Sequence, residues 1–244
     1  MSSNPPETLQ ESIARLLPNG LGARGDEERD PLVYPERPLH VLVACSGSVA
    51  SVKIPLIVRR LLQFDKVEVQ VVATKSALHF FDKQTLEDEH SGRVKVWTDA
   101  EEWAGWSKIG DPILHIELRR WADLVLVAPC SANTLAKLTH GLCDNILVRS
   151  LSSRSICWKN STSLLRALPQ HVPVKLFPAM NTHMYSHPLT SKQLAFVRDE
   201  LGYRVEGPIP KRLACGDVGM GAMLEWTEIV DQVVREYQLA AIDA

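Results

Sequence analysis

The stretch DLVLVAPCSANT, Asp123 to Thr134, decides the fold. Its first half is an uninterrupted apolar run, which predicts a strand covered on both faces. Its second half passes without a linker to Ser131, Asn133 and Thr134, residues that start helices, and NTLAKLTHG then carries a helical period. A two-sided strand followed at once by a helix is half of a βαβ unit. Working outward, LHVLVACSG (from Leu39) leads into VASVKIPLIVRRLLQF, whose helical pattern Pro55 interrupts mildly. VEVQVVAT reads as a second strand, VKVWTD as a weaker third, VPVKLFPAM as a fifth and YRVEGP as a sixth. HIELRRWA, TSLLRAL, SKQLAFVRDELG and LEWTEIVDQVVREYQL supply helices between and after them. This alternation predicts a single α/β domain over 38–244, a three-layer flavodoxin- or Rossmann-like parallel sheet with helices on both faces. Residues 1–37 are rich in Pro, Glu, Arg and Gly. They read as a disordered arm, although ETLQESIARLL has the pattern of a short amphipathic helix.

The net charge of −2 over 244 residues gives no electrostatic footprint for nucleic acid. No apolar run reaches membrane-spanning length, and no hydrophobic signal core opens the chain. The five cysteines (Cys45, Cys130, Cys143, Cys157, Cys215) are odd in number, with no CxxC and no paired His spacing. That argues against a disulfide framework or a zinc site and for a reducing compartment. The expectation is a cytoplasmic protein without nucleic-acid, membrane or metal partners. Cys45, Cys130 and Cys143 lie in or beside apolar segments and read as core.

In such a sheet ligands sit beyond the carboxyl ends of the strands. Three turns there suit a phosphate and a flat ring. SGSVAS follows the first strand with Gly47, Ser48 and Val49; ATKSA follows the second with Thr74 and Ser76; APCSANT follows the fourth with Ser131, Ala132, Asn133 and Thr134. Taken alone, each of them reads as a helix cap; together they favour a phosphate-bearing cofactor. Neither GxGxxG nor GxxxxGK[ST] is present, which weakens dinucleotide and P-loop readings. PAMNTHMY adds Ala179, Asn181 and Met184 after the fifth strand. LACGDVGMGAM adds Ala214 and Cys215, and LHIEL adds His115 at a helix start. His183 and His187, beside PAMN, read as loop-shaping residues. The Trp97, Trp103 and Trp106 group reads as a surface or subunit-contact lid. Met180, Met184, Met220 and Met223 are either padding for a flat ring or gap filler.

With these motifs in place, ACSGSVAS, LHIELRRWADLVLVAPCSANTLAKLTHGLCDN, LFPAMNTHMYSHPLT and LACGDVGMGAM together resemble the homo-oligomeric flavin-containing Cys decarboxylases, the family of the phosphopantothenoylcysteine decarboxylases. The resemblance runs from about His40 to Tyr237. It implies FMN as cofactor and decarboxylation of phosphopantothenoylcysteine to phosphopantetheine, a step of coenzyme A biosynthesis. It also implies a homotrimer with sites between subunits. His115 matches the family's catalytic histidine, Asn181 the asparagine that holds the substrate carboxylate, and Cys215 the cysteine that supplies a proton. The turns around Gly47, Ser48, Val49, Thr74, Ser76, Ser131, Ala132, Asn133, Thr134 and Ala179 match the FMN contacts. Met184, Lys211, Arg212 and Ala214 fall where substrate is met.

Two departures are visible. The family's Met-Trp is Met184-Tyr185 here, which keeps an aromatic surface. VRSLSSRSICWKN (Val148 to Asn160) also intervenes where the family runs directly into a helix. It reads either as a species-specific surface loop or as a translated intron, because the flanks rejoin smoothly without it. Relatives of this fold also serve as protein phosphatase-inhibiting regulatory subunits, some without a catalytic residue and with acidic tails. Here His115, Asn181 and Cys215 are all present, and LAAIDA carries no acidic run. A peptidyl-cysteine decarboxylase would share the His and PAMN motifs, whereas ACGD favours the phosphopantothenoyl substrate.

Overall fold

β4 (Leu124–Cys130) is buried at every position, and β1 (Leu39–Cys45) at all but His40. Each lies between two hydrogen-bonded parallel neighbours with helices above and below. Neither face meets water, so the sequences run continuously apolar instead of alternating. In the computed structural model, which describes residues 37–104, 113–142, 145–147, 164–212 and 216–242 with positions 11, 13, 108 and 111, these strands are joined by β2 (Val67–Ala73), β3 (Val96–Trp97), β5 (Val174–Pro178) and β6 (Arg204–Val205). The sheet order is β3-β2-β1-β4-β5-β6, every pair parallel. The winding direction reverses between β1 and β4, which opens a crevice beyond their carboxyl ends.

The helices form two layers, as expected. On one face α1 (Ile54–Leu61), α2 (Lys83–Glu89) and α9 (Trp226–Tyr237) place Ile57, Leu61, Leu86, Ile229 and Val233 against Val41, Val43 and Val71. On the other, α4 (Leu114–Trp121), α5 (Ala132–His140), α6 (Leu164–Ala167) and α8 (Pro188–Asp199) cover Leu42, Val125 and Leu176. Two further short helices, α3 (Asp99–Ala104) and α7 (Thr182–Ser186), lie at the margins of this frame.

Several particulars differ from the sequence reading. Pro55 does not interrupt a helix: Val49–Lys53 forms a 3-10 turn, and Pro55 stands in the first turn of α1, where its missing N–H is no loss. Trp97 is not part of a surface lid. It is buried in β3, where its Nε1 donates to Gln70 Oε1 at 3.3 Å. The side chain of Trp103, and Trp106, lie outside the described residues, as do Cys143, Cys157 and the segment 148–160. Ile13, within the presumed arm, is helical and buried in the second core. An antiparallel hairpin, β7 (Ile209–Arg212) with β8 (Val218–Ala222), follows β6 and was not foreseen.

One ion pair in this frame makes a testable contribution. The Lys175 side chain on β5 is buried, and its Nζ meets Glu236 Oε2 at 2.6 Å; Arg204 Nη1 takes Oε1 at 2.6 Å. Partial burial pushes the Glu236 carboxyl up, but the hydrogen bonds and charges of Lys175 and Arg204 outweigh it and hold the group below the usual carboxylate range. A carboxylate with a depressed folded-state pKa stabilises above its unfolded pKa and loses that contribution as pH falls through the folded value. Glu236→Gln leaves Lys175 buried without its counter-charge. It is expected to lower unfolding free energy by about 2 kcal/mol near neutrality, less than for a fully buried pair because Glu236 still reaches water. Urea melts at neutral and acidic pH check this: the gap between parent and variant narrows as pH drops below the ordinary carboxylate range.

Candidate active site

The crevice at the reversal of the sheet is built from three turns. After β1 the chain bends at Ser46, whose buried hydroxyl donates to Pro129 O at 2.8 Å and accepts from Ser131 N at 2.9 Å. Ser51 Oγ donates back to Ser46 O at 2.9 Å. One buried serine thus ties the turn after β1 to the turn after β4. Gly47 comes next, and there only glycine fits: a Cβ would come to 2.6 Å from Ser76 Oγ in the turn after β2. Ser48 caps the 3-10 turn through Ala50 N at 3.4 Å, and Ser131 caps α5 through Thr134 N at 3.3 Å. The capping reading of these residues is therefore realised, and it coexists with a clustering of all three turns.

Beyond β5, Ala179 N donates to Cys130 O at 3.0 Å and brings the PAMN loop alongside the β4 turn. Asn181 caps α7: its Oδ1 accepts from His183 N at 2.8 Å, and Nδ2 donates to Asp217 Oδ2 at 2.6 Å. His187 shapes the loop as expected, its Nδ1 accepting from Leu189 N at 3.1 Å at the start of α8.

Between these elements lies a cleft of about 570 Å³. Gly47, Ser48 and Val49 line it from the first turn, Ser131, Ala132 and Asn133 from the second, and Ala179, Asn181 and Met184 from the PAMN loop. Lys211 and Arg212 of β7 complete it, with Lys211 Nζ held by Glu225 Oε1 at 2.5 Å. Thr74, Ser76 and Thr134 do not line the cleft and stand behind its wall. Thr74 Oγ1 and Ser76 Oγ share a 3.2 Å hydrogen bond beneath Gly47, and Thr134 Oγ1 accepts from Ser131 Oγ at 3.2 Å. Their contribution is to shape the turns. Met180 and Met223 do line the cleft, but Met220 does not. Tyr185 packs on the second core instead.

His115 is the large departure from a one-chain site. It lies in the first turn of α4, is buried, and faces Glu102: Nδ1 and Glu102 Oε1 stand 2.5 Å apart. It does not reach the cleft of its own chain. Glu102, next in sequence to Trp103, is buried like its partner. A carboxylate against Nδ1 fixes the tautomer with Nε2 as the lone-pair nitrogen. Ala214 and Cys215 lie outside the described residues. Cys45 and Cys130 are core residues: burial pushes the Cys45 thiol up and the Cys130 thiol to about 12, so neither serves as a nucleophile beside the cleft.

The cleft's shape and chemistry fit FMN. The amides that begin α5 have no partner within the helix, and the absence of a side chain at Gly47 lets a phosphate approach the backbone. Apolar surface from Ala179, Met180, Met223 and Trp226 suits one face of a flat ring. The flavoprotein family profile matches residues 32–238. The chain belongs to the flavoprotein family.

This flavoprotein is 45% identical over 84% of its length to the phosphopantothenoylcysteine decarboxylase of Arabidopsis thaliana, 87% of which is covered. It is equally 45% identical to the mouse phosphopantothenoylcysteine decarboxylase, over 81% of this chain and 87% of that one. Among solved structures it is similar to a cysteine-to-serine mutant of PPC decarboxylase complexed with pantothenoylaminoethenethiol. That similarity has a TM-score of 0.69 at 42% identity and covers 83% of this flavoprotein and 100% of that chain. It is also similar to the FMN-binding protein AtHal3, with a TM-score of 0.66 at 43% identity, covering 83% and 98%.

Proposed function

We infer that this flavoprotein is an FMN-dependent phosphopantothenoylcysteine decarboxylase, a carboxy-lyase that forms phosphopantetheine for coenzyme A biosynthesis. The observation that carries the reading is the Asn181 amide. Its carbonyl is spent on capping α7, so the NH2 group, which here donates to the Asp217 carboxylate, is the end that meets a carboxylate at the mouth of a flavin-sized cleft. The same-named activity of relatives that match most of the chain supports it.

Gly47, Ser48 and the start of α5 would hold the FMN phosphate, with Ala179 and the methionines beside the ring. Bound FMN supplies the two-electron oxidation of the thiol-bearing carbon and returns the same electrons to the product, so the overall reaction is redox-neutral. Asn181 orients the carboxylate with a neutral donor. A cation there would stabilise the ground-state carboxylate as well and oppose the departure of CO2. His115, held through Nδ1 by Glu102, presents Nε2 as the base for the substrate thiol. The charge left when CO2 departs is carried on sulfur, and Cys215 is assigned, on the family resemblance, to return a proton to carbon.

The family resemblance implies a homotrimer with sites between subunits, in which a neighbouring chain would bring His115 to the Asn181 loop. A cytosolic setting goes with this reading, since Cys45 and Cys130 are free thiols.

The direct test is to purify the protein and incubate it with phosphopantothenoylcysteine. A yellow protein that releases one CO2 per phosphopantetheine formed is the expected result. A colourless protein, or a yellow one that leaves this substrate intact, would overturn the assignment.

A further inference from the structure

Asn181 and Asp217 stand 36 positions apart in sequence, yet the amide and the carboxylate meet at 2.6 Å. The amide cannot flip, because its Oδ1 is fixed by His183 N. Asp217 is brought there by the way β8 is seated. At Gly219 a Cβ would come to 2.8 Å from Thr182 Cγ2, and at Gly221 to 2.3 Å from Met180 O. Met180 N in turn donates to Gly221 O at 2.9 Å. The hairpin therefore lies backbone-to-backbone on the PAMN loop, and its first strand residues carry the preceding Asp217 to the amide.

We propose that Asp217 is a built-in competitor of the substrate carboxylate at this site: its own carboxylate holds the Asn181 amide, and a ligand takes that donor only by bringing a carboxylate that displaces it. The inference rests on the decarboxylase reading, in which Asn181 Nδ2 is the group that receives the substrate carboxylate. Two carboxylates sharing one amide nitrogen lie within a few ångströms of each other, and such like charges disfavour joint occupancy. Occupancy is therefore an exchange. Substrate replaces one charged acceptor by another, a near-even trade. Once CO2 has left, the ligand has no carboxylate with which to hold the amide, and Asp217 returns. The same contact thus weakens the binding of carboxylate ligands by the fraction of amide that Asp217 occupies, and leaves ligands without a carboxylate untouched.

The test uses the full-length holoenzyme and two ligands. Phosphopantothenoylserine keeps the carboxylate but has no thiol, so it is not turned over; phosphopantetheine has the thiol but no carboxylate. Calorimetric titration of Asp217→Ala is expected to show about fivefold tighter binding of phosphopantothenoylserine, because the fraction of competent amide rises, with phosphopantetheine changed by less than about twofold. Asp217→Asn, which removes the charge and keeps the shape, falls between parent and Asp217→Ala. In an Asn181→Ala background the gain from Asp217→Ala disappears. Unchanged or weaker binding of phosphopantothenoylserine by Asp217→Ala would overturn the proposal, as would an equal shift for both ligands, which reports a general disturbance of the hairpin. A parent protein that neither binds phosphopantothenoylserine nor decarboxylates phosphopantothenoylcysteine overturns the decarboxylase reading itself, a result visible before any variant is made.

Discussion

Gly47→Asp is expected to purify without colour. A Cβ at this position would already stand 2.6 Å from Ser76 Oγ and 2.7 Å from Ser76 Cβ, both in the turn after β2. The carboxylate beyond it would enter the turn assigned to the FMN phosphate. Two like charges about 4 Å apart at an effective dielectric of roughly 20 repel by about 4 kcal/mol. That is about a thousandfold in affinity, sufficient to lose the cofactor during purification. Gly47→Ala separates the two effects: it carries the steric conflict without the charge and is expected to bind flavin more weakly than the parent but better than Gly47→Asp. The flavin-to-protein ratio is the measurement, with circular dichroism to show that the sheet persists. Gly47→Asp as yellow as the parent would place the phosphate elsewhere.

How far the fold could be read depended on burial. β1, β2 and β4 are covered on both faces, and a two-sided strand writes itself as an apolar run. The hairpin β7–β8 is exposed at Lys211, Arg212, Val218 and Met220, and β8 packs on the PAMN loop through Gly219 and Gly221, so its sequence has neither an apolar run nor an alternation to detect. The strand order is not written locally at all, because a crossover helix can carry the chain to either side of the sheet. The site followed the same division. Gly47, Ser131 and Asn181 were legible because each sits in a turn directly after a recognisable strand. Ser46, which ties two of those turns together, resembles any serine after a strand until its bonds to Pro129 and Ser131 are seen. Glu102 is not singled out by the sequence, and only the tertiary contact with His115 reveals it as a buried partner. Asp217 stood in view within ACGD, but its contact with Asn181 depends on the seating of a hairpin that the sequence did not announce.

His115→Asn and Asn181→Asp are expected to stop decarboxylation while leaving the protein yellow, since neither residue belongs to the turns assigned to the FMN phosphate. Losing a positioned base costs roughly a hundredfold to ten-thousandfold in rate. Asp at 181 faces both the substrate carboxylate and Asp217, so its charge repels the ligand and loosens the hairpin contact together. The two defects differ in where they reside. The His115–Glu102 pair is buried away from the cleft of its own chain, whereas Asn181 lines that cleft. If a neighbouring chain completes each site, a mixture of the two inactive variants reassembled from subunits contains some sites with His115 from one chain and Asn181 from another. In a randomly mixed cyclic trimer about a quarter of the sites are intact in this way, and activity returns to about that fraction of the parent. If instead both residues served the same site from one chain, every site would carry one defect and no mixture would recover. Measuring CO2 release from each variant alone and from the remixed pair distinguishes these outcomes. An inactive mixture whose exchange of subunits is verified by native mass spectrometry would sink the shared-site trimer while leaving the roles of His115 and Asn181 in place.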